Sequence, residues 1–377
     1  MRILFAFNAF KGCMTAQHAC ETAARAAAAC GHEARVCPMA DGGDGTAEIL
    51  RQALRCQTIP VAVHGPLADT VIARYGWDFQ SKTAIMEMAA ASGIALFPAS
   101  KLDPIHASTF GTGEMIRHAI VQKKARKIII GLGGSATVDG GAGAAQALGW
   151  KFFDQNGALI PDGIGGGELT RIVSANCPVG DDAITKPVDI QLLCDVRNPL
   201  LGDNGAAAIF GPQKGATPQQ VQLLEDALVH WMIRVMNRPD VAAKPAAGAA
   251  GGLAAGLVAC CGAQFANGAE TVANMVGLKK NIEWADIVVT GEGQLDEQTL
   301  MGKAPAIVIE NARNLNKPIV VAAGRVTLGE QDIHQAGINK VLQITPANTD
   351  LATALRDAAK FLAQSVTDFL ATQTHNS

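Results

Sequence analysis

The sequence predicts an α/β protein of more than one domain, on three observations. Short apolar runs bounded by Gly or Asp alternate with Ala-rich helical stretches, the pattern of crossover helices covering a mostly parallel sheet. At roughly 150 residues per domain, 377 residues suffice for two or three separate cores. Between residues 61 and 88 the alternation breaks. Three runs separated by Gly65-Pro66 and Asp78-Phe79-Gln80-Ser81 read there as an antiparallel meander, so the topology changes near residue 60.

The expected strands are residues 3–7, 34–38, 127–130, 191–194, 287–290 and 318–322, each short and mostly apolar. The first resembles the apolar stretch of a secretion signal, but Lys11-Gly12 interrupts it after a few residues, which favours a buried strand. The clearest helix covers residues 218–236. Thr217 is its N-cap, Pro218 its first residue, Gln220 completes a capping box, and Val221, Leu224, Leu228 and Val235 share one face. Residues 240–252, rich in Ala, Pro and Gly, have the composition of a linker, and the last six residues are expected to fray.

Composition removes several functions. With 31 Lys and Arg against 34 Asp and Glu the net charge is −3, too little positive charge to hold a nucleic acid by counterion release. No apolar run approaches the roughly 18 residues of a membrane helix. Nine cysteines form no CxxC pair and eight histidines no pair at metal spacing, so neither disulfides nor zinc are expected, and a reducing, cytoplasmic compartment is.

Glycine is abundant, 40 of 377 residues, and clustered with charged side chains in four segments: 40–46, 131–141, 210–215 and 290–296. In an open α/β sheet ligands bind beyond the carboxyl ends of strands, where such loops bring backbone N–H groups close to an anion such as phosphate. The Walker pattern is absent. Before Gly302-Lys303, Glu297 stands where its first glycine should be and Ala304 where its hydroxyl should be. Gly131-x-Gly133-x-x-Ala136 does fit the relaxed dinucleotide fingerprint, with Asp154 as the acid beyond it, and an NAD(P)-dependent oxidoreductase is the competing reading.

Phosphoryl transfer is favoured by the acids beside these glycines: Asp41, Asp44, Asp139, Asp195, Glu292 and Asp296. A kinase needs one or two carboxylates for Mg²⁺ and another near the attacking hydroxyl, whereas hydride transfer needs far fewer. The stretch Gly131-Leu132-Gly133-Gly134-Ser135-Ala136 also resembles the phosphate loop of galactokinase-type and homoserine-type kinases.

Taken together, the blocks resemble the class I glycerate kinases almost end to end. They are Phe10-Lys11-Gly12, residues 40–46, Gly111-Thr112-Gly113-Glu114, residues 131–141, Cys194-Asp195 with Asn198-Pro199-Leu200, residues 210–215, 248–252 and 290–296, and Gly302-Lys303. The resemblance implies ATP and Mg²⁺ as cofactors, D-glycerate as acceptor and the 2-hydroxyl as its site, although the residues do not distinguish it from the 3-hydroxyl. It implies catalytic roles for Asp195, Lys11 and Asp296, and ATP or phosphate contacts from Gly133, Gly134, Ser135, Thr137, Lys214 and Lys303. Asp41, Gly42, Gly43 and Asp139 would contact substrate, and Asp44, Glu292 and Asp296 the metal. Which lysine serves ATP and which glycerate stays open, as does a non-catalytic homologue that only binds ATP or a metabolite.

The sequence departs from the family in places. Phe7-Asn8-Ala9-Phe10-Lys11-Gly12 stands where the family commonly has Pro-Asp-Ser-Phe-Lys-Gly, so a carboxylate and a hydroxyl are missing. Val138 replaces an Asn, and Gly293-Gln294-Leu295-Asp296 lacks the family's Arg. The resulting fold expectation is a discontinuous, mostly parallel, Rossmann-like domain of residues 1–60 and 281–377. Residues 61–280 form an inserted mixed α/β domain, with the active site in the cleft.

Overall fold

The structure is a computed structural model that describes residues 1–43, 45–179, 188–194 and 196–373. The chain divides into two compact units, Met1–Asp41 with Asn267–Ser377, and Gly42–Ala266.

The first unit is built on a five-stranded sheet whose neighbouring strands are all parallel. Its strands lie in the order Lys340–Gln343, Ile319–Val326, Ile287–Leu295, Arg2–Phe7, Glu33–Val36. Arg2–Phe7 is buried from Ile3 onward, as expected of a strand covered on both faces, with Phe5 opposite Val289. Helices Ala16–Ala29 and Ala358–Gln373 pack over it, placing Ala19, Ala23, Leu362, Val366 and Leu370 against Ile3, Phe5 and Phe7. The alanines allow that close approach. Thr15 caps the first of these helices by accepting from the His18 backbone at 3.2 Å.

Two expected strands continue further than their apolar runs. Ile287–Leu295 and Ile319–Val326 stay paired through Glu292 with Ala323 and Gln294 with Arg325. Segment 290–296 is therefore mostly strand rather than loop. Ladder hydrogen bonds need only backbone, so pairing continues after the side chains turn polar.

The second unit contains a six-stranded mixed sheet in the order Gln264–Asn267, Asp189–Cys194, Lys127–Gly131, Thr83–Glu87, Thr70–Asp78, Gln57–His64. The last three are the anticipated antiparallel meander, and Thr83–Glu87, Lys127–Gly131 and Asp189–Cys194 are mutually parallel. The units meet in sequence at 41/42 and 266/267, not at 60 and 280. Gln57–His64 pairs along its whole length with Thr70–Asp78, which draws residues 42–60 into the second unit.

The helix after Thr217 forms with both halves of its capping box: Gln220 N donates to Thr217 Oγ1 at 3.3 Å, and Thr217 N to Gln220 Oε1 at 2.8 Å. It runs Pro218–Val229 and continues as a wider π-helical turn, His230–Val235, which seats Trp231 in the core. The linker reading of 240–252 is corrected. Val241, Ala242 and Ala246 to Leu253 are buried, because small side chains there let the segment press against neighbouring backbone. Among the described residues no helix is long and apolar enough to cross a membrane.

Candidate active site

In the second unit, strand Lys127–Gly131 ends between two parallel neighbours and releases residues 131–141 as a loop before helix Ala142–Ala147. The loop is tied down on all sides. Leu132 N donates to Leu193 O at 3.1 Å, Ile94 N to Gly134 O at 2.8 Å, Ala136 N to Ser92 O at 3.0 Å and Gly140 N to Gly251 O at 3.1 Å. Asp139 is fully buried and accepts from Thr109 N, Thr109 Oγ1, Gly143 N and Gly141 N at 2.7 to 3.2 Å. Fully buried and held by four donors, three of them on Oδ2, Asp139 orders the loop, where the resemblance implied a substrate contact. Burial pushes its pKa up, against the lowering effect of those hydrogen bonds.

Lys214 is 2% exposed, and its ammonium donates to Ser135 Oγ at 2.6 Å and Thr137 O at 2.8 Å. Burial pushes it down to about 7, with Asp139 opposing the fall. A short 3₁₀ turn, Pro212–Lys214, closed by Gly215, delivers it. Beside it, Thr137 Oγ1 is buried without a hydrogen-bond partner, an orphan that a ligand oxygen would satisfy. Lys214, Ser135 and Thr137, predicted from separate segments, are thus brought together, with half-buried Gly133 and Gly134 in the same loop.

Gly251 explains why the small-residue segment is needed here. Its φ is +66° and a Cβ would lie 1.9 Å from Thr137 O, the carbonyl that Lys214 uses. We expect Gly251→Ala to destabilise the protein by at least about 2 kcal/mol, measured by urea unfolding, since overpacking and left-handed strain add. An unchanged midpoint would show that the loop can yield.

The dinucleotide reading does not survive. Ten residues separate Gly131 from the next helix, so no helix N-terminus follows the fingerprint closely. Asp154 accepts from Asn156 N and Ala158 N in a turn next to the antiparallel pair Lys151–Phe153 and Ser174–Asn176, away from any second strand of a βαβ unit.

Segment 40–46 is held by a residue outside it that was not singled out from the sequence. Glu87, at the end of strand Thr83–Glu87, accepts from Gly45 N at 3.0 Å and Ala47 N at 3.1 Å, and so occupies the start of helix Thr46–Ala53. An acid at a strand's carboxyl end was the available signal. Gly42 packs so closely that a Cβ would meet Cys194 N at 2.8 Å, and half-buried Gly43 accepts from Thr46 Oγ1 at 2.7 Å. Asp44 and Asp195 lie outside the described residues.

The first unit carries a cluster of acids. Glu292 is 9% exposed with Oε1 unpartnered, and burial pushes its pKa up, reinforced by Asp41 and Asp296 and opposed by Thr299 and Lys303. Asp296 caps the turn Glu297–Leu300, accepting from Thr299 N at Oδ1 and from Gln294 Nε2 at Oδ2, both at 3.1 Å. Asp296 thus has a structural capping role on the turn before Met301. Lys303 is the N-cap residue of helix Ala304–Asn314. Lys11 is exposed, and its backbone N lies 3.6 Å from where a Cβ on Gly293 would be. Asn8, 5% exposed, donates through Nδ2 to Asp41 Oδ2 at 3.2 Å.

Glu292 has the chemistry to help hold a hard divalent cation, with an unpartnered buried oxygen and further acids near it. Among the described residues no group of three or more His, Cys, Asp or Glu side chains could hold a metal ion alone.

Comparison with known proteins agrees with this chemistry. The sequence profile described as "Glycerate kinase family" matches residues 3–374. "Glycerate 2-kinase" of Escherichia coli (strain K12) is 43% identical over 323 residues, 85% of this chain and 84% of its own. "Glycerate kinase" of Halalkalibacterium halodurans is 39% identical over 344 residues, covering 91% and 90%. A crystal structure proposed to be glycerate kinase 2 from Salmonella typhimurium LT2 superposes with a TM-score of 0.82 at 38% identity, over 100% of this chain and 99% of that one.

Proposed function

This chain belongs to the glycerate kinase family, and on that basis we propose that it transfers the γ-phosphoryl group of ATP to D-glycerate, at the 2-hydroxyl. The observation that carries the reading is Lys214, a buried cation held on Ser135 and Thr137 within a glycine-rich loop. Phosphoryl transfer passes through a loose transition state whose charge lies on the phosphoryl oxygens, so positioning and charge balance dominate. Lys214, the Ser135 and Thr137 hydroxyls and the backbone at Gly133 and Gly134 receive phosphate, with Lys11 and Lys303 as further cations.

Glu292, Asp296 and Asp44 would hold Mg²⁺, which when bound neutralises phosphate charge. We assign acceptor contacts to Asp41, Gly42 and Gly43 and acceptance of the hydroxyl proton to Asp195. We assign Asp139 to ordering the loop. The reaction belongs in the cytoplasm, where ATP is at hand and nine free cysteines stay reduced.

ADP release should rise only when D-glycerate and Mg²⁺ are both present, and phosphorus NMR should show 2-phosphoglycerate. ATP binding without turnover would point to a sensor instead. A 3-phospho product would change the regiochemistry alone.

A further inference from the structure

We propose that Asn8 is a positioning residue of the phosphoryl-transfer site, an uncharged donor that fixes the carboxylate of Asp41; this rests on the kinase reading above. Asn8 follows strand Arg2–Phe7, and its own backbone N donates to Gly291 O at 3.0 Å, which anchors it beside the segment bearing Glu292. Its side-chain oxygen accepts from Ala9 N at 2.9 Å. That bond settles which way the amide faces: with Oδ1 turned to an N–H, Nδ2 must point the other way, and there it donates to Asp41 Oδ2 at 3.2 Å. At 5% exposure Asn8 has little freedom to adopt another arrangement.

The neutral side chain matters because of what surrounds it. Asp41 already acts electrostatically on Glu292, which is buried with an unpartnered oxygen. In this chain a carboxylate at position 8 would set a third negative charge about one hydrogen-bond length from Asp41 and would remove the donor that Asp41 has there. The amide instead donates to Asp41 Oδ2 and restricts its rotation. Asn8 is thus the residue by which this chain holds Asp41 ready for the acceptor without adding charge to the acid cluster.

Asp is isosteric with Asn, which separates positioning from mere filling of space. If Asn8 acts as a donor to Asp41, Asn8→Ala should lower kcat about tenfold or more with the KM for ATP little changed, the scale of one hydrogen bond to a charged group. Asn8→Asp should then be worse than Asn8→Ala. In an Asp41→Ala background the Asn8→Ala change should cost less than about twofold, because its partner is gone. Thermal unfolding of each variant checks that it is folded. Should Asn8→Asp not fold, the Ala cycle decides alone.

Near wild-type activity in Asn8→Asp, or the same fold loss from Asn8→Ala with and without Asp41, would overturn the inference while leaving the kinase reading intact. Wild-type protein that releases no ADP in response to D-glycerate would overturn both.

Discussion

Lys214→Met is expected to lower kcat/KM for ATP by about 10²- to 10³-fold, the scale of losing one donor aimed at developing phosphate charge. Met keeps the length and apolar stem of lysine while removing the ammonium that holds Ser135 Oγ and Thr137 O. A second signature accompanies the loss. With its pKa pushed down to about 7, Lys214 is charged in the free enzyme only below that value, and kcat/KM reports the free enzyme. Wild-type kcat/KM for ATP should therefore fall as pH rises through about 7, and the variant should lack that limb.

Stability has the opposite pH dependence. Between about 7 and the ordinary lysine value of 10.5 the unfolded chain binds a proton that the native lysine does not. The cost of burying Lys214 is thus fully present below about 7 and disappears as pH rises through that window, so its contribution makes native stability increase with pH. In Lys214→Met this slope should be gone from urea-unfolding curves. A variant with wild-type kcat/KM would remove Lys214 from the phosphate site.

Asp195→Asn is expected to lower kcat by at least about a hundredfold with ATP affinity little changed, the usual scale of general-base catalysis. The side chain keeps its shape and its hydrogen-bonding ability but loses the base and its charge. Much of the effect would come through alignment of the hydroxyl, because a loose transition state asks more for positioning than for proton removal. Single-turnover and ATP-titration measurements separate the two steps. A loss under about tenfold in a folded variant would move the role to Asp296 or Asp41. A lost Mg²⁺ dependence of ATP binding would place Asp195 among the metal residues.

Much of the fold could be read along the chain, because its signals are local. The strands at 127–131 and 189–194, the meander and the Thr217 capping box depend on neighbouring side chains, on turn residues and on apolar runs, and they form close to where they were expected. The extension of Ile287–Leu295 was not legible, because pairing beyond its apolar part is a property of the adjacent strand Ile319–Val326. Composition misled at 240–252 for a related reason. Glycine and alanine suit a flexible tether and also suit a buried segment that must approach other backbone, and only its neighbours distinguish the two.

The same division runs through the site. The residue types for phosphate chemistry, and their likeness to glycerate kinases, are present in the linear order of Lys11, Ser135, Asp195, Lys214, Glu292 and Lys303. Their use is a matter of distance and burial. Lys214 is marked from sequence only as a phosphate contact by resemblance, and proves to be buried against residues almost eighty positions earlier. Asp139 reads as a substrate ligand and is bonded instead by Thr109, Gly141 and Gly143, while Glu87 gave no glycine-rich signal and caps the start of Thr46–Ala53. Chemical identity is carried by single residues and survives in one dimension. Whether a charge is solvated, paired or held close to another depends on segments far apart in the chain, and folding brings those together.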